Sequence, residues 1–441
     1  MAGSTLAHAG QDLLHPIGVG VLCCCIAAIF IAPRKYLFLP IVLLIASFPS
    51  AQRIIIFTLD FNFLRIALLC AVVRIVIRSE FSNIRLIPVD RVLIYYVIWG
   101  IVAYGLLFGS FNALVTRTGY MLEIFCAYLV ARVCVLNWVD LRRIGLAFGI
   151  LSLPAAFLFY WEESTGRNLM HVFGGVPEFT LVREDRVRAQ GPFSHPIMAG
   201  MFWSGCLAWI VAAKSLATNT AAISLFIGSI LAIVVFTASS TPVMAVAVFL
   251  LGLWLFLFRS QIRTIQISVL VALMVLQIFM NAPVWHLISR INLTGGSTGW
   301  HRYHLIDQAV ARVFEWGLLG VRSTAHWGTG LGDVTNQYIL EGVRGGLLGM
   351  GLFIAFGWKL FSMVGTRIKE GANREVQWRY WLCGTALFVH AVSFLAVSYF
   401  GQMAAAFFFC CGATVSLAAI PRTETTLVTS YNKPTDVILL S

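Results

Sequence analysis

Apolar runs close to twenty residues long recur from one end of this 441-residue chain to the other. About 20 helical residues are needed to cross about 30 Å of hydrocarbon. Hydrophobic residues fill 59% of the positions and charged residues only 11%, whereas a soluble domain carries about 25% charged residues. Inside lipid every backbone polar group must be paired within the protein, so spans are helices or closed barrels. The alternating, aromatic-girdled pattern of barrel strands is absent. The chain therefore reads as all-α, a polytopic transmembrane helical bundle.

Twelve to thirteen spans are expected, near 17–32, 36–49, 62–77, 92–112, 119–136, 143–161, 197–213, 219–237, 241–258, 264–282, 338–362, 379–398 and 402–420. The second and third are the weakest, because Ile54 to Ile66 also suits an interfacial segment. Basic residues collect in alternate connections: Arg34-Lys35, Arg78 to Arg91, Arg142-Arg143, Lys214, Arg259 to Arg263 and Arg367 to Arg379. The positive-inside rule makes that side cytoplasmic. The opposite, periplasmic side receives short turns at 113–118, 238–240 and 399–401. It also receives the two long loops, 162–196 and 283–337. The same rule accounts for much of the net charge of +12, which in a soluble chain would have suggested nucleic acid. No nucleic-acid partner is expected.

The organisation read from this pattern is N-terminal helices over 1–160, a core over 161–420 that holds both long loops, and a polar, disordered cytoplasmic tail over 421–441. The odd span count places the N-terminus outside. The first residues lack a basic region and do not read as a cleaved signal peptide. All ten cysteines fall in apolar stretches, so neither a structural disulfide nor a cysteine metal site is expected. No repeat with a period of 20–50 residues is visible.

The first long loop holds Arg167, Arg183, Arg186 and Arg188 among Glu162, Glu163, Glu178, Glu184 and Asp185. It ends in Gly191-Pro192-Phe193-Ser194-His195-Pro196, where the next span begins. Pro196 suits the first turn of a helix, whose free N–H groups favour an anion. Arginines clustered at such an end offer planar, bidentate donors to a phosphate or diphosphate. Headgroup anchoring or salt bridges with the local acids serve as well from sequence alone. The second loop contains an amphipathic stretch with Ile306, Ala309, Val310 and Val313 on one face and Asp307, Gln308, Arg312 and Glu315 opposite. It reads as a helix lying on the membrane surface. Trp285, Trp300, Trp316 and Trp327 are expected at headgroup level. His286, His301, His304 and His326 lack compact ligand spacing, so no metal is assigned.

Ionisable residues inside spans are few: Arg65, Arg74, Glu123, Arg132, His390, and Glu341 with Arg344 near a span start. Such residues usually face a cavity or a partner. Snorkelling suffices for Arg74 and Arg132 near span ends, and Glu123 reads as buried.

Four segments between Arg183 and Gly351 resemble, in order and in side, the superfamily of O-antigen ligases and Wzy-type polysaccharide polymerases. RVRAQGPFSHPIMAGMF looks like its arginine followed by a G-x-F-x-H/N-P segment at a span mouth, through Arg188, Gly191, Phe193, His195 and Pro196. FTASSTPVMAVAVFLL stands in the place of a Ser-Arg-Gly turn. WHRYHLIDQAVARVFEWGLLGV looks like the surface helix led by an arginine, here Arg302. DVTNQYILEGVRGGLLGMGLF looks like the segment re-entering the membrane, with Glu341 and Arg344. Ligases of the family carry a His-Asn pair, nine residues, then Gly-x-x-Gly. Asn336, Gly346 and Gly349 keep that frame, but Thr335 stands at the histidine. The Ser-Arg-Gly turn reads Ser239-Ser240-Thr241 and lacks its arginine. Both departures favour a polymerase over a ligase.

The resemblance implies sugars carried on undecaprenyl diphosphate, transferred at the periplasmic face of the bacterial inner membrane without a nucleotide or cofactor. Partners implied are the lipid-linked oligosaccharide, membrane lipid, and flippase and chain-length regulator proteins. Leaving-group charge would fall to Arg183, Arg186, Arg188 and Arg302. His195, Glu178 and His326 are the candidates for a base. His195 equally suits a helix-start residue bonded to backbone. A ligase-type transferase, a flippase or transporter of lipid-linked oligosaccharide, and a scaffold or sensor are the competing readings. A transporter would be expected to show internal repeats.

Overall fold

A computed structural model describes residues 14–56, 59–81, 84–214, 220–290 and 299–420. The N-terminal segment and the tail from 421 lie outside the described residues. The helices are α1 (Pro16–Ile31), α2 (Phe38–Ser47), α3 (Phe63–Ile77), α4 (Pro88–Phe108), α5 (Phe111–Cys134), α6 (Trp138–Thr165), α7 (Pro196–Lys214) and α8 (Thr220–Phe236). They continue as α9 (Ser240–Leu255), α10 (Ile262–Phe279), α11 (Gly299–Ala311), α12 (Val313–Trp316), α13 (Gln337–Glu370), α14 (Arg374–Ser393) and α15 (Gln402–Ala419). Two short antiparallel hairpins and five short 3-10 segments, among them Val284–Arg290, complete the described secondary structure.

Among the described residues, eight helices are long and apolar enough to cross a membrane: α4 to α7, α9 with its continuation to Phe258, α10, α13 and α15. The protein is therefore a multi-pass, all-α membrane protein. Helices also stand at the five other expected spans, but they are shorter or more charged. Helix α2, with 10 residues, reaches about 15 Å and is buried within the bundle. Helix α14 carries Arg374, Glu375 and Arg379 in its first turns. The doubtful stretch from Ile54 resolves into a hairpin, β1 (Arg53–Ile56) on β2 (Leu59–Asn62), as β-branched residues favour. Asn62 then caps α3 by accepting from the Arg65 N–H at 2.7 Å.

Helices α7 and α15 form the centre and are almost wholly buried. Small residues permit this, since without water helices associate by close packing. A Cβ on Gly412 of α15 would lie 2.2 Å from the Tyr128 carbonyl of α5. One on Gly145 of α6 would lie 2.6 Å from the Trp209 carbonyl of α7.

Several of the buried charges are paired. Glu123 accepts from Asn62 Nδ2 at 3.0 Å and pairs with Arg65 at 3.1 Å. Arg132 and Arg74 do not snorkel. Arg132 pairs with Asp90 at 3.1 Å, and Tyr128 donates to the other oxygen of that carboxylate at 2.5 Å. Arg74 pairs with Glu80 at 2.9 Å. A nearby acid makes burial of these guanidinium groups less costly than stretching to the interface.

Side-chain contacts sort the connections onto two ends. At one, Arg34 donates to the Val133 carbonyl at 2.8 Å, Arg259 to Gln377 at 2.8 Å and Arg367 to the Ala418 carbonyl at 2.6 Å. At the other, Gln52 donates to the Phe173 carbonyl at 2.6 Å, Gln402 to the Pro192 carbonyl at 3.3 Å and Arg322 to the Leu107 carbonyl at 2.9 Å. The second end gathers both long loops.

Helix α13 is broken at Gly346, whose φ is 66° and ψ −173°. The break separates the Val343 carbonyl from the Leu347 N–H, which a continuous helix would pair. The second long loop takes both. Val321 N–H donates to Val343 at 2.9 Å, and Leu347 N–H donates to the Gly317 carbonyl at 2.7 Å. Two glycines allow the approach: a Cβ on Gly320, where φ is 108°, would meet the Val343 oxygen at 2.1 Å, and one on Gly346 would meet the Leu318 oxygen at 2.2 Å. Helix α11 packs above, with Leu305 and Ala309 buried alongside Ile339, Leu340 and Val343 of α13. Part of its apolar face therefore meets protein, and Val310 is left 53% exposed. For the same reason Trp316 and Trp327 are core residues, not headgroup anchors.

Gly320→Ala should detach this loop from α13. The variant should show a thermal midpoint lowered by several degrees in detergent and faster proteolysis between residues 312 and 335, because both the φ and the backbone approach become unavailable.

Candidate functional site

Helix α6 ends with Glu162, which is 1% exposed. Its carboxylate accepts from the N–H groups of Gln190 at 3.1 Å and Gly191 at 2.8 Å, and from the Thr180 hydroxyl at 2.8 Å. One buried acid thus folds the first loop back onto its own helix. Sequence reading counted Glu162 only as one loop charge among several. A carboxylate in the last turn of a helix, where the dipole disfavours it, was the available signal. The rest of the motif is pinned in the same way. Asn168 donates to the Gly191 carbonyl at 2.8 Å, Gln190 to the Phe193 carbonyl at 2.9 Å, and Phe193 is fully buried. Gly191 has φ 55° and lies against Phe159, where a Cβ would come within 2.5 Å. Pro196 opens α7.

Within this loop Val182–Arg183 pairs with Arg186–Val187, and Glu184 and Asp185 form the turn with φ of 53° and 58°. Arg183 and Arg186 are exposed on the hairpin, and the Arg183 guanidinium lies 3.8 Å from Glu184. Arg188 is different. It is 9% exposed, and its Nη2 donates to Ser239 Oγ at 2.6 Å. From the second loop Arg302 Nη2 donates to Thr241 Oγ1 at 3.0 Å, and its Nε to the Ala396 carbonyl at 3.1 Å. The turn from Ser239 to Thr241 thus receives one arginine from each loop, two residues apart. Neither arginine forms an ion pair among the described residues. The Arg188 Nε is buried with no partner. Burial, then the nearby Arg183, lowers the pKa of Arg188; burial lowers that of Arg302. A cation in this position gains most from an anion brought by a ligand.

His195 stands close enough to Arg188 to feel its charge. Burial first, and Arg188 second, push its pKa down to about 4. Its Nδ1 accepts from the Ile197 N–H at 3.1 Å. The neutral ring therefore carries its proton on Nε2 and acts there as a donor.

The re-entry segment lies beside Arg302. Asn336 caps α13 by accepting from Ile339 N–H at 3.1 Å and donates to the Leu395 carbonyl at 3.2 Å. That carbonyl adjoins the Ala396 carbonyl bound by Arg302. The Thr335 hydroxyl is buried without a partner. Deeper in α13, Glu341 accepts from Gln337 at 2.6 Å and lies 3.8 Å from Arg117. Arg344 is half-buried, and Gly346 and Gly349 belong to the helix break and the turn after it. Glu178 pairs with Arg167 at 3.2 Å. His326 Nε2 lies 2.6 Å from Glu315, whose other oxygen accepts from Trp327 Nε1 at 3.2 Å. This leaves His326 Nδ1 outside the pair. Between α13 and α14 a cavity of about 190 Å³ opens, lined by Tyr338, Phe353, Trp358, Leu387, Phe394 and Phe407 among others.

Among the described residues no group of three His, Cys, Asp or Glu side chains is placed to hold a metal ion. Comparison with family profiles, with curated proteins and with solved structures returns no match.

The low pKa of His195 sets the sign of a pH effect. An unfolded histidine titrates near 6.5. Between that pH and about 4 the unfolded chain binds a proton that the folded chain refuses, so stability is lost as pH falls through this window. Thermal unfolding in detergent should show His195→Asn losing less stability than the parent between pH 6.5 and 4. An equal decline would mean that the imidazole charges freely in the folded protein.

Proposed function

We propose that this chain is a membrane-embedded glycosyltransferase of the polymerase kind. It moves a growing glycan from undecaprenyl diphosphate to the next lipid-linked repeat unit, at the periplasmic face of the bacterial inner membrane. The observation that carries the proposal is the pair of arginines, Arg188 and Arg302, which reach one hydroxyl turn from separate loops without a carboxylate partner. Such a pair suits a diphosphate, whose two phosphates need two permanent, desolvated cations. The apolar cavity between α13 and α14 is of a character that suits an isoprenyl chain. The basic connections lie at the opposite end of the bundle, which by charge faces the cytoplasm.

In this reading the acceptor hydroxyl attacks the anomeric carbon. A new carbon–oxygen bond forms as the bond to the diphosphate oxygen breaks, and the lipid diphosphate leaves. Arg188, Arg302 and the Nε2–H of His195 take up the charge that develops on the leaving oxygens. His326 is the better base for the hydroxyl proton, because Glu315 holds one ring nitrogen and leaves Nδ1 to accept. With Thr335 where ligases of the resembling family have their histidine, an imidazole supplied from nine residues upstream also fits a polymerase better than a ligase.

In cells lacking the parent gene, Arg188→Ala and Arg302→Ala should each abolish long polymer and leave single lipid-linked repeats, at normal protein levels. A fall of about 10²–10³ in turnover is expected. Polymer of unchanged length and yield would sink the diphosphate site. Long lipid-linked polymer that never reaches its final acceptor would identify a ligase. His326→Ala should lower turnover by about 10²; unaltered turnover would assign the proton elsewhere.

A further inference from the structure

Helix α14 ends at Ser393, and each of the next three carbonyls is taken by a residue from an earlier part of the chain. The Phe394 carbonyl accepts from the Gln337 N–H at 2.8 Å, the Leu395 carbonyl from Asn336 Nδ2 at 3.2 Å, and the Ala396 carbonyl from Arg302 Nε at 3.1 Å. The Gln337 side chain then reaches the far end of the same turn. Its Oε1 accepts from the Tyr399 N–H at 2.7 Å, and its Nε2 donates to Glu341 at 2.6 Å. Arg117 lies 3.8 Å from Glu341 on another side. A carboxylate accepts and does not donate, so Glu341 fixes which way round the amide lies and keeps its oxygen on Tyr399. Gln337, Glu341 and Tyr399 are all buried. The Tyr399 hydroxyl lies 2.7 Å from His390 Nδ1, which ties the turn back to α14.

We infer that Gln337 is a positioning residue for Arg302; this rests on the function proposed above. Arg302 has two anchors, the Ala396 carbonyl at its Nε and Thr241 at its Nη2. A planar guanidinium held at two of its nitrogens has its direction fixed. Thr241 belongs to the first turn of α9, so its place is set by a helix. The Ala396 carbonyl lies in the turn after α14, and Gln337 grips that turn on both sides, at Phe394 and at Tyr399. Removing the amide would leave the Tyr399 N–H buried without a partner. The turn would relax to pair it, and the Ala396 carbonyl would move with the turn. A misplacement of about 1 Å transmitted to a group that meets the reacting atoms costs up to about 10² in rate. Arg302 meets charge that grows on the leaving oxygens, so the loss falls on the transition state and not on substrate binding.

The test uses the full-length protein in liposomes, with lipid-linked repeat unit as substrate. Gln337→Met keeps the backbone bond to Phe394 and removes both amide bonds. Its kcat should fall by about 10², with KM changed by no more than about twofold. Gln337→Asn keeps a shorter amide and should lose about tenfold in kcat, which keeps the test open should Gln337→Met fail to fold. The double variant with Arg302→Ala should be no slower than the residual turnover of Arg302→Ala alone, because a residue that acts through Arg302 then has nothing left to position. A purely structural role would add its own loss. Parental kcat in both Gln337 variants, or a further loss in the double variant, overturns the positioning role. If Arg302→Ala is slow while the Gln337 variants match the parent, the positioning role fails and the diphosphate site stands. If Arg302→Ala remains fully active, the proposed function fails and the positioning role with it.

Discussion

The second long loop is held in place by backbone threaded into a broken helix. A break in an apolar helix frees backbone groups, here the Val343 carbonyl and the Leu347 N–H, and lipid offers neither a partner. In α13 both are taken by the turn at Gly317 to Val321. The loop cannot leave without stranding two polar groups, and the helix cannot straighten without expelling the loop. Because α11 follows the same docking, through Leu305 and Ala309, the position of Arg302 traces back to this exchange of hydrogen bonds. Gly346 and Gly320 are needed because backbone must meet backbone, with no room for a Cβ.

The first loop is fixed by a different device with the same effect. A single buried carboxylate, Glu162, collects the N–H groups just beyond Arg188. Two independent anchors therefore bring two guanidinium groups onto a turn that supplies only hydroxyls, Ser239 and Thr241. Hydroxyls can orient a cation but cannot neutralise it. Elsewhere in the bundle Arg65, Arg74 and Arg132 each have an acid. The contrast between these acid-paired arginines and the two that converge on one hydroxyl turn without an acid supports a charged ligand better than the count of basic residues does.

Much of the frame was legible beforehand. Apolar runs located a helix at every expected span, since hydrophobic length is a one-dimensional property of the chain. They overstated how many helices are long enough to cross, because a buried segment such as α2 is as apolar as a spanning one. Glu123 was legible as buried, but its partner Arg65 lies 58 positions away in the chain. Arg132 was misread for the same reason, since Asp90 lies 42 positions away, whereas the acid of Arg74, Glu80, lies only six residues on, just past the end of α3. The amphipathic period of α11 was visible, yet which surface it covers depends on α13, and Trp316 and Trp327 went into the core accordingly.

By itself the sequence determined that the chain is a helical membrane protein, where its loops fall, and that basic residues collect at one end. These follow from the cost of moving polar groups into hydrocarbon, which each segment meets alone. The tertiary structure decided which of the loop arginines is buried, that Ser239 and Thr241 receive Arg188 and Arg302, and that His195 is a donor while His326 keeps a free ring nitrogen. The arginine placements depend on hydrogen bonds between residues 51 to 94 positions apart, which no local pattern encodes, and the histidine roles on how short-range bonds fill one ring nitrogen, which residue spacing alone does not give.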